Sequence, residues 1–373
     1  MFCNASSWET SNYGAEVAIP NAIRASRYVT SDPAEADFFL VPAPLYCLQT
    51  EQSLKHHRSV FPEGTPDYYW YSHATEAVQA WVQAEQPFWN KSGGADHLWI
   101  YSQDHGKDIV VANTAFDWVP IGIPTHAADV NLTKIRERSR HRKPPQRSGT
   151  GRAFDRLALL LGRKQRALHF APLVDQMSSQ PTSVWGTKTS ILYFAGDLRF
   201  EDAAYSHGVR QMAFRMGFNA TKGFRLLDSR NPEEALGSEE YLEGFGQSLF
   251  CLAATGAGWG VRLKLAMMYR CIPVIISDDV QMELEDVLDF TNFAVRLPQH
   301  AMYALPEVLN SIIETRNKVK SMQLVIDCAW RFFTWKPPYG RALEALMCSL
   351  RRKLDPEIKP RLDHETCTLI CGE

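Results

Sequence analysis

The stretch from residue 250 to residue 298 decides the fold, and it reads FCLAATGAGWGVRLKLAMMYRCIPVIISDDVQMELEDVLDFTNFAVRLP. Two short apolar runs, at 250–252 and at 272–276, have the composition of buried parallel strands. Between them, a glycine-rich turn is followed by a run at 261–269 that has the length and composition of a short helix. The order strand, turn, helix, strand indicates an α/β unit with a parallel sheet.

The glycine-rich turn has the features of a phosphate-binding loop. Gly256, Gly258 and Gly260 let the backbone turn sharply and approach a ligand closely. The first amide groups of the following helix lack partners within it, and the helix dipole favours an anion there. Arg262 and Lys264 add positive charge, which the dipole alone would disfavour and a bound diphosphate would offset. The spacing is not the dinucleotide fingerprint, so an ordinary strand-to-helix turn is the alternative from these residues alone.

The same stretch resembles the C-terminal half of the exostosin-like glycosyltransferases, glycosyltransferase family 47. The family line has S-x-F-C-L, a glycine loop, an arginine, then G-C-I-P-V-I-x-S-D and F-E-D-x-L-D-W. The matching residues are Ser248, Phe250, Cys251, Leu252, Arg262, Cys271, Ile272, Pro273, Val274, Ile275, Ser277, Asp278, Glu285, Asp286, Leu288 and Asp289. Further matches upstream, at 31–42, 93–97, 104–106, 194–199 and 205–210, extend the resemblance over most of the chain.

Length, composition and charge agree with a globular protein of two domains. The chain has 373 residues, with 45% hydrophobic and 22% charged residues. Its net charge of −2 argues against nucleic acid or an anionic membrane as the partner of the whole molecule.

The resemblance implies an α/β fold of the GT-B type, in which two Rossmann-like doubly wound domains face a cleft. Alternating elements in both halves support this fold class. The expected helices are at 15–26, 68–83, 205–216, 261–269 and 306–320, and the expected strands at 38–41, 98–101, 108–112, 190–194, 250–252, 272–276 and 293–295. The predicted domains are an acceptor-side domain at 1–180, a nucleotide-sugar domain at 181–350 and a tail at 351–373. The basic run at about 134–152 predicts a solvated loop, with a site for an acidic polysaccharide as the alternative.

The second domain is expected to bind a nucleotide-sugar donor at the carboxyl ends of its strands. The resemblance implies phosphate binding by Arg199 and Arg210, whereas composition alone favours a surface ion pair and a solvated helix face. The candidate donor-binding residues are Arg199, Arg210, Ser248, Gly256, Gly258, Gly260, Arg262, Ser277 and Asp278. No D-x-D motif stands out, and arginines could offset the leaving group's charge, so we expect no obligatory metal and no other cofactor.

Inverting sugar transfer also needs a base that removes a proton from the acceptor hydroxyl, and the first domain is expected to supply it. Asp104 and His105 follow the predicted strand at 98–101, where ligands are expected, while Asp96 and His97 precede it. For each of these four candidates, a role as a turn or cap residue is the alternative.

Two positions depart from the family line. Leu265 stands where many relatives carry an acid that would bind the ribose hydroxyls, and Arg270 replaces the usual glycine. Leucine cannot accept those hydrogen bonds, so another group does so or nucleotide binding is weakened.

The cysteines and sequons bear on the compartment. Cys251 and Cys271 are expected to be plain core residues. The other cysteines are freer to pair in an oxidising compartment, and they are Cys3, Cys47, Cys328, Cys348, Cys367 and Cys371. N-glycosylation sequons occur at Asn4, Asn90, Asn131 and Asn219. The resemblance implies a Golgi membrane protein with a lumenal catalytic domain. Because no apolar run in the sequence is long enough to cross a bilayer, we expect that the membrane anchor is missing from this chain.

The sequence therefore predicts an inverting glycosyltransferase that moves a sugar, from a UDP-sugar by preference, to a polysaccharide or glycoprotein glycan. A homo- or hetero-oligomer with another glycosyltransferase is a further expectation, and nucleic acid is not an expected partner. The alternative is a catalytically inactive homologue that binds glycans or serves as a scaffold for an active transferase. A nucleotide-sugar hydrolase or epimerase would need a redox-cofactor site or a metal cluster, and the sequence shows neither.

Overall fold

The chain divides into two compact units in the computed structural model. The first unit is Met1–Leu173 with Leu346–Ile358, and the second unit is Val174–Ala345 with Lys359–Glu373. The residues that the structure describes are 15–45, 67–101, 119–122, 159–160, 188–202, 205–256, 262–278, 282–335 and 339–372.

The first unit contains a small, mainly parallel sheet. Its strands are β1 (Phe39–Val41), β2 (His97–Tyr101), β3 (Val119–Gly122) and β4 (Leu159–Leu160), and its helices are α1 (Ala15–Arg24), α2 (Asp67–Glu85) and α3 (Trp89–Ser92). The strand order is β3-β2-β1-β4, in which β1, β2 and β3 are parallel and β4 is antiparallel to β1. One buried cluster joins helices to strands through Val41, Leu45, Val82, Trp89 and Trp99.

The second unit contains a five-stranded sheet in which every neighbouring pair is parallel. Its strands are β5 (Ser190–Gly196), β6 (Phe224–Asp228), β7 (Ser248–Leu252), β8 (Ile272–Ile276) and β9 (Val295–Leu297). The strand order is β6-β5-β7-β8-β9. All five residues of β8 are buried, as expected for a central parallel strand that is covered on both faces.

Helices connect and follow these strands. They are α4 (Val209–Arg215), α5 (Ser238–Gly246), α6 (Arg262–Met268), α7 (Leu305–Glu314) and α8 (Lys318–Ala329). A further helix, α9 (Ala342–Leu354), begins in the second unit and belongs to the first unit from Leu346 onward. A hairpin of β10 (Arg361–Asp363) and β11 (Thr368–Ile370) lies near the end of the chain.

The predicted α/β class with parallel sheets is confirmed. The expected elements agree with the structure to within a few residues, except that the strand at 108–112 and the basic loop at 134–152 lie outside the described residues. The helix expected at 306–320 is two helices, because Thr315 is extended and Asn317 is left-handed with φ 62°. The helix expected at 205–216 begins with a 3-10 turn, Tyr205–Gly208, before α4. The GT-B arrangement of two domains across a cleft stays a prediction.

The prediction that Cys251 and Cys271 are plain core residues is wrong, because a disulfide joins them. Cys251 lies in β7 and Cys271 directly precedes β8, and the pairing of these strands brings the two Cα atoms to 5.7 Å. The cross-link spans 20 residues of sequence, for which the loss of entropy in the unfolded chain corresponds to about 3 kcal/mol of stabilisation.

The remaining described cysteines are also oxidised. Cys328, in α8, is joined to Cys367, so this disulfide ties the C-terminal hairpin to a helix. Cys348 and Cys371 are disulfide-bonded as well. The expectation that these four can pair is therefore confirmed, while Cys3 and Cys47 lie outside the described residues.

Arg270 explains why the family line has glycine at this position. Its backbone is left-handed with φ 53°, a conformation that glycine adopts without steric cost. The side chain compensates by a two-pronged ion pair with Asp327, with Nε–Oδ1 at 2.6 Å and Nη2–Oδ2 at 2.8 Å. The carbonyl of Arg270 also accepts a hydrogen bond from Gln323.

Candidate active site

The carboxyl ends of β5 and β7 form the natural ligand site of the second sheet. The strand order reverses there, since β6 lies on one side of β5 and β7 lies on the other. In open α/β sheets such a reversal leaves a crevice at the carboxyl ends of the two central strands. These strands end at Gly196 and Leu252, and the side chains of Arg210 and Arg262 reach them and the loops that follow.

Arg210 lies in α4, and only 2% of its surface is exposed. Its Nη1 donates to the carbonyl of Asp197 and to the hydroxyl of Tyr205, both at 2.8 Å. Its Nη2 donates to the carbonyl of Ala254 at 3.4 Å. Arg210 therefore bridges the loop after β5 and the loop after β7. The alternative of a solvated helix face is wrong for this residue.

Arg262 begins α6, and its Nη2 donates to the carbonyl of Ala195 at 3.0 Å. Gly196 makes this approach possible, because a Cβ atom at that position would clash with Nη2 of Arg262. The guanidinium carbon lies 5.1 Å from the ring centroid of Phe194, and that of Arg210 lies 5.4 Å from the same centroid. A glycine and an aromatic residue of β5 thus shape the surroundings of both arginines.

The two guanidinium groups are close enough to repel each other. Burial, and then repulsion from Arg262, lower the pKa of Arg210 to about 10. In the described part of the chain, no carboxylate forms an ion pair with either side chain. The Nε atoms of both arginines are buried and have no hydrogen-bond partner among the described residues. Two neighbouring guanidinium groups with buried, open Nε donors favour an anion such as phosphate as their partner.

Arg199 occupies a different environment. Its side chain is 45% exposed, and its Nε donates to Oδ2 of Asp197 at 2.8 Å. Its guanidinium carbon lies 4.4 Å from the centroid of the Tyr205 ring. The surface ion pair that the sequence left open as an alternative is therefore present, and phosphate binding by Arg199 stays a prediction.

Three of the other predicted donor-binding residues lie at the carboxyl edge of the sheet. A Cβ atom at Gly256 would lie 3.2 Å from Nη2 of Arg210 and from the hydroxyl of Tyr205, so Gly256 belongs to the arginine site. Ser277 follows β8, and its Oγ is buried without a hydrogen-bond partner in the described residues. Asp278 accepts a hydrogen bond from the amide of Gln299 at 3.0 Å.

The remaining predicted donor-binding residues are not brought to the arginines. Ser248 begins β7, at the amino-terminal edge of the sheet, where its Oγ donates to the carbonyl of Gly244 at 2.8 Å. This bond gives Ser248 a structural role. Gly258 and Gly260 lie outside the described residues.

The predicted catalytic residues Asp96 and His97 form a buried pair in the first unit. Oδ1 of Asp96 accepts hydrogen bonds from His97 Nδ1, at 2.8 Å, and from Ser92. Burial alone would raise the pKa of Asp96, but these hydrogen bonds outweigh it, so the pKa lies below its ordinary value. The imidazole stacks on Phe39 and meets the edge of Trp89, each at 4.7 Å between centroids.

This pair lies at the amino-terminal end of β2, and 6% of Asp96 and 2% of His97 are exposed. Such burial favours a role in positioning the chain, and catalysis by either residue stays a prediction. Asp104 and His105, the candidates beyond the other end of β2, lie outside the described residues.

Sequence reasoning missed Tyr205, Phe194 and Gly196 as residues of the arginine site. All three stand in the lines at 194–199 and 205–210 that resemble the family, and this was the available signal. Isolated aromatic residues and glycines look like ordinary core and turn residues, because their role depends on which arginine packs against them.

Leu265 is buried in α6 beside an ion pair. The leucine is 6% exposed, and the preceding residue, Lys264, places Nζ 3.0 Å from Oε1 of Glu283. Lys264 thus has a carboxylate partner, whereas Arg262 at the start of the same helix has none among the described residues. In the described residues, no group of three or more acidic, histidine or cysteine side chains could hold a metal ion. The expectation that no metal is required stays a prediction.

Comparison with known proteins gives one family match. The Exostosin GT47 domain matches residues 2–312. A probable glucuronosyltransferase of Oryza sativa subsp. japonica is 26% identical over 349 residues, covering 89% of this chain and 68% of the relative. A probable glucuronoxylan glucuronosyltransferase of Arabidopsis thaliana is 24% identical, covering 92% and 68%. A probable beta-1,4-xylosyltransferase of the same plant is 23% identical, covering 80% and 65%.

Among solved structures, the crystal structure of a GtfA/B complex is similar to this chain at a TM-score of 0.36. The two chains are 14% identical, and the match covers 76% of this chain and 61% of the other. At that score the similarity carries no weight for the placement of the two units.

Proposed function

The chain belongs to the exostosin GT47 family of glycosyltransferases, and from this premise we propose that it is an inverting transferase that uses a UDP-sugar. The acceptor is a polysaccharide or a glycoprotein glycan. The observation that supports the donor class best is the pair of buried Arg210 and partly buried Arg262, which has no carboxylate ion-pair partner in the described residues. A diphosphate would supply the missing negative charge.

In the proposed reaction, a base takes the proton of the acceptor hydroxyl while its oxygen attacks the anomeric carbon. The bond from that carbon to the diphosphate breaks, and UDP leaves with the negative charge. Arg210 and Arg262 would stabilise this charge as it develops, since their guanidinium groups are already held in place before reaction. We assign the base to the segment that contains Asp96, His97, Asp104 and His105.

The names of the relatives narrow the donors to test first. The compared plant proteins are called glucuronosyltransferases and a xylosyltransferase. We therefore propose UDP-glucuronic acid and UDP-xylose as the first donors, with xylan-type oligosaccharides as acceptors. Product analysis by mass spectrometry, against a panel that also includes other UDP-sugars, would identify the donor and the linkage.

We further propose that the catalytic part acts in the lumen of the Golgi. The disulfides at Cys251–Cys271 and Cys328–Cys367 support an oxidising compartment. Asn90 and Asn219, which stand in sequons, are exposed. Within the described residues, no helix has the length and apolar character to span a bilayer.

Removal of N-glycans would test this location. We expect a glycosidase to shift the mobility of the chain expressed in eukaryotic cells, and the Asn219→Gln variant to run with one glycan fewer. A fully unglycosylated chain with free thiols would contradict the lumenal location.

Titration of the purified chain with UDP tests the proposed function itself. We expect binding in the micromolar range that is lost in Arg262→Ala. The Arg270→Ala variant is the matched control, since that arginine lies at the opposite edge of the sheet and is paired with Asp327. Absence of binding at millimolar UDP would instead favour the second candidate function, an inactive glycan-binding or scaffold homologue in a complex with an active transferase. Leu265 is the residue that favours this second candidate.

A further inference from the structure

Tyr205 connects the two arginine environments of the second unit. Its hydroxyl accepts a hydrogen bond from Nη1 of Arg210 at 2.8 Å. Its ring centroid lies 4.9 Å from the guanidinium carbon of Arg210 and 4.4 Å from that of Arg199. Tyr205 is 8% exposed, so its contact with buried Arg210 is shielded from bulk solvent, whereas its contact with Arg199 lies at the surface. A single buried side chain thus contacts both a buried and an exposed guanidinium group.

The backbone around Tyr205 is held in a strained conformation. Ser206 and His207 have left-handed φ angles of 58° and 51°, which non-glycine residues adopt at a cost. The amide of Ser206 donates to the carbonyl of Gly256 at 3.1 Å. The side-chain amide of Gln211 donates to the carbonyls of Arg199, Asp202 and Tyr205, each at 3.2 Å. These bonds fix the turn, and the turn fixes the direction of the Tyr205 ring.

The contacts of Arg210 show what the hydroxyl contributes. The other partners of its guanidinium group are the backbone carbonyls of Asp197 and Ala254. Repulsion from Arg262 acts against this placement. The Tyr205 hydroxyl is therefore the side-chain partner that holds Arg210 beside a like charge, and it leaves the Nε edge of Arg210 without a partner in the described residues.

We infer that Tyr205 is a positioning residue of the donor site, which holds Arg210 by its hydroxyl and Arg199 by its ring so that both can meet a diphosphate. This inference rests on the proposed function. It predicts that the hydroxyl and the ring make separable contributions to UDP affinity.

Binding of UDP to the intact chain and its variants, measured by isothermal titration calorimetry, tests this role. We expect Tyr205→Phe to weaken binding about tenfold, since it removes one hydrogen bond to a charged group. Tyr205→Leu is expected to weaken binding further, because the ring contact with Arg199 is lost as well. If Tyr205→Leu does not fold, the UDP affinity of Tyr205→Phe by itself tests the positioning role.

The pH dependence of UDP binding distinguishes a positioning role of Tyr205 from a purely structural one. Arg210 is faced by Arg262 from α6, by Asp197 from the loop after β5 and by Tyr205 from the 3-10 turn. Its pKa is lowered to about 10, and the hydrogen bond that Arg210 donates to the Tyr205 hydroxyl counteracts that lowering. In Tyr205→Phe, the affinity should therefore begin to fall at a lower alkaline pH than in the unmodified chain. An alkaline limb that does not move would overturn the positioning role.

Tyr193→Phe is the matched control, because it also removes a buried tyrosine hydroxyl from the second unit, where Tyr193 donates to the carbonyl of Tyr241 at 3.0 Å. We expect its UDP affinity to equal that of the unmodified chain. If Tyr205→Phe and Tyr193→Phe bind UDP equally well while Arg262→Ala abolishes binding, the positioning role of Tyr205 is refuted and the proposed function stands. Failure of the unmodified chain to bind UDP would refute both the inference and the proposed function.

Discussion

Each unit of the molecule contains a pair of neighbouring ionisable side chains, and the two pairs differ in chemistry and in place. The first is a buried acid with a buried histidine, and the second is a buried arginine with a partly buried one. In the first unit, Asp96 and His97 satisfy each other at the amino-terminal end of β2. In the second unit, Arg210 and Arg262 repel each other at the carboxyl ends of β5 and β7 and are held mainly by backbone carbonyls. A self-satisfied pair can stabilise a fold without help, whereas a pair of like charges lowers its energy when an anion binds.

The largest expected effect follows from removing one charge of the arginine pair. In Arg210→Met, UDP affinity should fall about a hundredfold, or ~3 kcal/mol, because a buried charged donor is lost. The free energy of unfolding should fall by less than the binding free energy, since relief of desolvation and of repulsion from Arg262 offsets part of the three lost hydrogen bonds. Calorimetry and urea denaturation would measure the two quantities. An equal loss of both free energies would show that Arg210 is needed for the fold itself.

The opposite outcome is expected for the pair in the first unit. Asp96→Ala should lower the free energy of unfolding by about 2 kcal/mol, because it leaves buried His97 and Ser92 without their shared acceptor. UDP affinity should be unchanged. Urea denaturation and UDP titration of the same preparation would check this, and a variant of normal stability would remove the structural role proposed for the pair.

A smaller effect should follow from filling the space beside Arg262. Gly196→Ala introduces a Cβ atom that clashes with Nη2 of Arg262, so the arginine must move away from β5. We expect UDP affinity to fall about tenfold, or ~1.4 kcal/mol. The backbone of Gly196 is not left-handed, so the substitution adds no φ strain. Unaltered affinity would mean that the position of Arg262 is not critical.

The pH dependence of stability tests the role of Asp96 in the first pair. Because the pKa of Asp96 is lowered in the folded chain, its stabilisation is complete above the ordinary range of aspartate and is lost as pH falls through the lowered pKa. Asp96→Asn should therefore make the free energy of unfolding depend less on pH on the acid side. The stability that Asp96→Asn loses at neutral pH should be smaller than the stability lost in Asp96→Ala. Thermal unfolding between neutral pH and pH ~3 would measure it. An identical acid limb in both chains would contradict the assignment.

The smallest effect is expected at an arginine that already has its carboxylate. Arg270→Gly relieves a left-handed backbone, worth about 1 kcal/mol, and loses a partly exposed ion pair of similar size. The net change in stability should stay within about 0.5 kcal/mol, with UDP affinity unchanged. Arg270→Ala keeps the backbone strain and should lose more stability than Arg270→Gly. The reverse order in urea denaturation would argue against the strain at this position.

Much of the second unit could be predicted from the sequence, because its signals are local. The sequence pattern predicts β5, β7, β8 and α6 close to their positions in the structure, from β-branched runs, a glycine-rich turn and short amphipathic segments. Such patterns depend on residues a few positions apart, and the resemblance to a family supplied the arginines. The break at Asn317 was missed, since a single left-handed asparagine inside a helical pattern leaves little local trace.

The sequence by itself determined the α/β class, the parallel strands and the presence of basic residues after strand ends. Only the tertiary structure decided that Arg210 is buried while Arg199 is exposed, that Tyr205 contacts both, and that Cys251 pairs with Cys271. The physical reason is that Arg210 also contacts a segment far along the chain, at Ala254, that the disulfide joins two strands, and that the Tyr205 contacts depend on left-handed turn residues. The contact at Ala254 and the disulfide depend on the order β6-β5-β7-β8, which is set by the packing of the whole sheet.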